Sequence, residues 1–159
     1  MSLVVLLYSL VLSFILPRDA RSIDKSEFYK TFASTDLSSI NTYIQKVNEA
    51  TFPEKDAYHG ALLMKKAGLV GNPKEKLSLF KQGHKELENA ISTDTKNVEY
   101  RFLRLMIQEN APGILGYKNE IKEDSGIIKG AYKTLPNEAK TALLDYCKKS
   151  KFLKTEDFN

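Results

Sequence analysis

From Ile23 onward the apolar residues recur three and four positions apart, and each run is bracketed by a residue that caps or breaks a helix. This rhythm constrains the fold more than any other feature. A period near 3.6 builds one buried stripe per helix, whereas a half-buried strand needs strict alternation. Phe28 and Phe32 lie one turn apart in a first helix over Ile23–Ala33. Thr35 or Asp36 caps a second, whose face carries Leu37, Ile40, Ile44 and Val47. Pro53 opens a third with a small-residue face of Ala57, Ala61, Leu62 and Met64, and Gly68 stands where a C-terminal cap is expected. Asn72-Pro73 starts a fourth, striped by Leu77, Phe80, His84, Leu87 and Ile91. Asn97 caps a fifth, Val98–Asn110, which is apolar nearly all round and therefore reads as central. Asn119 is the expected cap of a sixth with Ile121, Ile128, Ala131 and Leu135 inward. Pro136-Asn137 breaks it, and Glu138–Ser150 forms a seventh, followed by Phe152, Leu153 and Phe158 docking the tail. No run alternates like a strand, and no Asn-Gly or Asp-Gly hairpin turn occurs. The expected fold is all-α, built of antiparallel helix hairpins because the connections are short. Its core is expected on the fourth and fifth helices: Leu77, Phe80, Leu87, Ile91, Phe102, Leu105 and Met106.

Residues 1–22 are of another kind. Leu3–Leu16 is an apolar run of about 14 residues, within the roughly 7–15 of a signal-peptide core and short of the ~17–25 of a membrane span. Pro17 stops the run, and Ala20-Arg21-Ser22 places small residues before a cut at Ile23. No Lys or Arg precedes the run, so an uncleaved anchor and an ordinary apolar helix stay open beside the signal peptide. The organisation read from this is a signal peptide or anchor at 1–22 and a single helical domain at 23–159. The location read from it is secreted or periplasmic. Cys147 is the one cysteine, so the chain cannot close an internal disulfide and must be held by packing. Nor does a cysteine stand directly after the apolar run, near Ala20, as a bacterial lipoprotein requires.

The charge balance argues against nucleic acid. Lys and Arg number 24 against 20 Asp and Glu, a mixed surface without the basic face of a nucleic-acid binder. The one local excess, Lys148, Lys149, Lys151 and Lys154, reads as a cluster stabilising the last helix through its dipole. Membrane contact is expected through the N-terminal segment only.

Between Leu87 and Leu103 a large apolar residue precedes Ala90 by three. A turn with Asp94 and Asn97 follows, then a new helix with aromatic and Leu positions, while Gly83 supplies a small residue upstream. These residues resemble the second helix of a tetratricopeptide (TPR) repeat and the start of the next unit. Thr95 stands where the family has proline, and no second copy appears at the ~34-residue period of an array. The resemblance is to a degenerate, TPR-like helical protein of an exported bacterial family. It implies helix hairpins and protein interaction and brings no catalytic residues.

Chemistry is sparse. His59 and His84 fall on different helices, without the paired spacing of a zinc site. His59 reads as a surface residue and His84 as a core-edge one. Two S-x-x-K matches, at Ser22 and Ser78, lack the companion motifs of penicillin-recognising enzymes. Gly71-Asn-Pro-Lys74 lacks the strand and second glycine of a phosphate loop. Cys147 reads as a buried inert thiol. Neither a cofactor nor a metal is called for, and no enzyme activity is expected. One constellation stands out: Asn97, Arg101, Arg104 and Gln108 form a single polar stripe on the otherwise apolar fifth helix. Forked arginines bind carboxylates, so the stripe is either a binding surface for an acidic partner or a solvent edge tied to Glu120 or Asp124 of the next helix. In TPR-like folds the first helix of each pair lines the groove, which favours the binding reading. The expected function is an exported protein-interaction or scaffold module holding a protein or peptide. A membrane-surface envelope protein and a small enzyme with an acid/base pair assembled only by the fold are the alternatives.

Overall fold

The computed structural model describes residues 22–158. Among them lie seven α-helices and no strand: α1 Lys25–Ala33, α2 Leu37–Glu49, α3 Lys55–Leu69, α4 Pro73–Thr93, α5 Val98–Asn110, α6 Ile121–Ala131 and α7 Asn137–Cys147. The fold is all-α. Four of the helices begin on side-chain caps that the sequence carries. Asp24 accepts from the Glu27 amide, Asp36 from those of Ser38 and Ser39, Asn72 from those of Lys74 and Glu75, and Asn97 from that of Tyr100. Each such cap is worth roughly 1 kcal/mol.

Two terminal signals differ from expectation. Gly68 is not a cap: α3 runs on to Leu69 and leaves through Val70 in extended backbone, a conformation that needs no glycine. Asn119 does not cap α6 either. That helix starts at Ile121 without a side-chain cap, and the Glu120 carbonyl accepts from the Asp124 amide at 2.8 Å.

Helix α3 is the hub, packing against α2, α4 and α5. Its pairing with α4 is antiparallel, joined by the short link Val70–Asn72, and the two backbones meet at Gly60 and Gly83. The α5–α6 pair is antiparallel as well, because Arg104 meets Asp124 while Gln108, one turn later, meets the earlier Glu120. Helix α1 lies against α7 and α2 and brings Phe28 into an aromatic group, its ring centroid 4.3 Å from that of Tyr58. The tail docks by burying Leu153 fully and by stacking Phe158 on Tyr132 at 4.7 Å.

The core is centred on α3 and α5 rather than on α4 and α5. Leu87, Ile91, Phe102, Leu105 and Met106 are buried as expected, but Leu77 is 46% exposed and Phe80 only half-buried. The first turns of α4 lie beside the last turns of α3 at the Val70–Asn72 end of the hairpin, and no residue of α4 before Gly83 is buried. Ala57, Tyr58, Ala61 and Leu62 of α3 take the central place, all fully buried.

A buried carboxylate ties three helices together. Glu99 of α5 accepts from Tyr29 Oη at 2.8 Å, from Tyr58 Oη, and from Lys25 Nζ at 2.8 Å. Burial first, then the Glu99 charge, raises the Tyr29 phenol; burial, then Tyr29 and Glu99, raises Tyr58. Burial likewise lifts Tyr43, Tyr117 and Tyr146, and pushes Tyr100 up to about 12. A phenol whose folded value is raised contributes stability that is complete below its unfolded value of ~10 and is lost as the pH climbs above it. Tyrosinate absorbance from these six of the eight tyrosines should therefore lag the ordinary phenol titration and then rise in one step together with loss of the helical circular dichroism signal. All eight phenols titrating near pH 10 in a chain that keeps its helix signal would contradict this.

Candidate functional site

The polar stripe of α5 faces α6. Arg104 is 4% exposed, and its guanidinium forks onto Asp124, Nε to Oδ2 at 2.7 Å and Nη2 to Oδ1 at 2.8 Å. Its third nitrogen donates to Glu88 Oε2 at 2.8 Å, and Glu88 in turn accepts from Tyr117 Oη at 2.5 Å. Burial alone would lower the guanidinium, but hydrogen bonding to Asp124 and the charges of Asp124 and Glu88 outweigh it and hold the group above its ordinary value. Arg101 reaches Asp124 Oδ1 and the Thr95 carbonyl, both at 3.3 Å, and Gln108 donates to Glu120 at 2.7 Å. Asn97 is spent as the cap. Of the two readings of the stripe, the geometry fits internal pairing: the surface expected for an acidic partner is occupied by carboxylates of α4 and α6. The physical reason is that a helix buried on all sides can keep cations only by bringing their counter-ions inside.

A groove lies elsewhere. It encloses about 1110 Å³ between α1, the second half of α3, the first turns of α4, the end of α5 and α7. Phe32, Met64, Leu69, Phe80, Met106 and Ile107 make its apolar lining. Beyond α5 a 3₁₀ turn, Gly113–Leu115, closes one end, and Gly116 leaves it at φ 62°, a left-handed backbone that glycine tolerates. That turn holds Ile114 96% exposed and Leu115 37% exposed in the groove lining, to which Leu77 also belongs. Among the described residues these three are the exposed large hydrophobics, and all three line this one groove.

Its cations are lysines. Lys30 of α1, Lys65 of α3, Lys76 of α4 and Lys149 beyond α7 line it, and none of these side chains makes an ion pair or hydrogen bond among the described residues. Lys65 is half-buried, its ammonium 6.0 Å from the Phe32 ring centroid; burial and the nearby Lys149 charge lower it. Lys149 lies 5.1 Å over Tyr146. The carboxylates of the groove, Glu138 and Asp145, both sit on α7, and Asp145 is paired with Lys148 at 2.7 Å.

The remaining reactive groups lie away from it. His59 is not a surface residue: it is half-buried and its Nδ1 meets Glu86 at 2.5 Å. His84 packs its ring between Phe80 and Tyr117, at 6.0 and 4.7 Å. Cys147 is buried, which pushes its thiol up. No group of three or more metal-ligating side chains occurs among the described residues, and no described helix is long and apolar enough to cross a membrane. The segment Leu3–Leu16 lies outside the described residues.

Compared with known proteins, the chain matches no family model, no curated protein and no solved structure.

Sequence reasoning missed the groove because its residues come from five helices and a turn. One signal was available: Ile114 and Leu115 are large apolar residues in a Pro-Gly-flanked loop, where burial is not to be expected.

Proposed function

We propose that this chain is an exported, TPR-like interaction module that seats an apolar segment of a partner protein in the groove between α1, α3, α4, α5 and α7. The observation that carries the reading is the convergence of Leu77, Ile114 and Leu115 on one groove. Scattered exposed hydrophobics need no explanation, but a contiguous apolar patch rimmed by polar residues marks an interaction site. Met64 and Met106 in the lining add side chains that adapt to irregular partners. The turn from Asp94 to Asn97, where Asn97 both caps α5 and donates to Asp94 at 3.3 Å, supports the TPR-like reading of that stretch.

The test is a photo-crosslinking residue at position 114, with position 122 on the exposed face of α6 as control, in cells that export the protein. A discrete adduct at 114, absent at 122 and lost in Leu77→Asp, is expected, with its partner peptide mapped by mass spectrometry. Adducts at both positions, or at neither, would remove the reading. An adduct of twice the chain's mass would make the partner a second copy instead.

A further inference from the structure

Resting on that reading, we infer that the segment the groove receives is an acidic amphipathic helix. Its apolar face would lie on the groove floor and its carboxylates would meet Lys30, Lys65, Lys76 and Lys149. Four observations lead here. First, three cations elsewhere in the fold that are drawn out of water have counter-ions: Lys25 has Glu99 and Glu54, Arg104 has Asp124 and Glu88, and Arg101 has Asp124 and Glu123, while half-buried Lys55 and Lys140 donate to backbone carbonyls. Lys65, half-buried in an apolar groove, is bonded to no carboxylate, and its charged neighbour is another lysine. A partly desolvated cation beside a like charge is costly, and an incoming carboxylate relieves both terms. Second, the four lysines stand on four different chain elements of the lining. A fatty acid or other single-headed amphiphile carries one charge at one end and answers few of them. A helix with carboxylates flanking an apolar stripe brings several at once.

Third, the lining suits a stripe of aliphatic anchors. Leu77 and Leu115 are the exposed part of the lining, while Met64, Met106 and Ile107 are its buried part, so aliphatic side chains of a helix face find both rim and floor to pack on. Fourth, the groove's own carboxylates, Glu138 and Asp145, are confined to α7, and neither is bonded to any of the four lysines.

The experiment uses the purified native protein and three labelled, end-capped helical peptides of about sixteen residues, or about four turns. All carry Leu at i, i+4, i+7 and i+11, with Glu, Gln or Lys at the flanking positions. Fluorescence anisotropy should show the Glu peptide bound roughly tenfold or more tighter than the Lys peptide, from several rim pairs acting together, and the margin should shrink with added salt. The variant Lys30→Glu, Lys65→Gln, Lys76→Glu, Lys149→Glu should reverse the order, its fold checked by circular dichroism. If that variant loses its helix signal, the exposed set Lys30→Glu, Lys76→Glu, Lys149→Glu carries the same expectation. Equal binding of all three peptides, abolished by Leu77→Asp, would leave the groove reading standing and overturn the charge rule. Absence of binding by every peptide would overturn both. Oleate that displaces the Glu peptide while the Glu and Lys peptides bind alike would assign the lysines to a lipid carboxylate and overturn the inference.

Discussion

Gly83→Val is expected to push α4 off α3 and to cost at least about 3 kcal/mol, at or beyond the top of the usual range for overpacking. A Cβ at Gly83 runs into the Gly60 carbonyl and comes within 2.9 Å of Met64 Cγ. One placed on Gly60 sits 2.6 Å from the Gly83 carbonyl and 2.9 Å from the Leu87 amide nitrogen. The obstacles are largely backbone, so no rotamer change relieves them. Helix propensity alone predicts the opposite sign, since replacing a mid-helix glycine gains up to about 1 kcal/mol. The contrast decides between the two effects. Gly126, inside α6 with open space around it, should gain roughly 0.5–1 kcal/mol as Gly126→Ala, raising the melting temperature, while Gly83→Val lowers it steeply. Urea melts of the two variants check both signs. A Gly83→Val protein as stable as the native one would mean that α3 and α4 do not touch backbone to backbone.

Asp124→Ala should cost about 3–5 kcal/mol, a large share of the ~5–15 kcal/mol of a domain this size. Asp124 is fully buried and accepts from both Arg104 and Arg101, so its loss strands a guanidinium that is 4% exposed. Glu88 then remains for Arg104, and Glu123 with the Thr95 carbonyl for Arg101. The double variant Arg104→Met, Asp124→Leu should recover part of the loss, because replacing both partners of a buried pair by apolar groups removes their desolvation cost, while Arg101 and Glu88 still lose a partner each. Chemical denaturation of the single and double variants reads this. A single variant within 1 kcal/mol of native would place the pair at the surface. Arg104→Lys should fall between, keeping the charge and losing the fork.

What the sequence alone determined is local. Asp36, Asn72 and Asn97 set helix starts because a cap bonds amides two or three residues away, and the fold cannot alter that distance. The stripe of α2 marked Ile40, Ile44 and Val47 as inward, and all three are buried. The all-α class followed from the same periodicity.

Tertiary structure decided everything that depends on which helices are neighbours. The stripe on α5 was legible as a row of polar groups, but whether it met solvent or carboxylates depended on α6 arriving with Asp124 and Glu120, 20 and 12 residues further on from their partners. Leu77 and Phe80 carry a normal core pattern, yet the first turns of α4 border the groove and leave both residues in its lining instead of in the core. Lys65 and Lys149 are 84 positions apart and become neighbours only when α3 and the end of α7 flank the same groove. Periodicity reports the face a residue shares with its own helix; what lies across that face is a long-range contact, and its energy is set by the partner's chemistry, which no local pattern encodes.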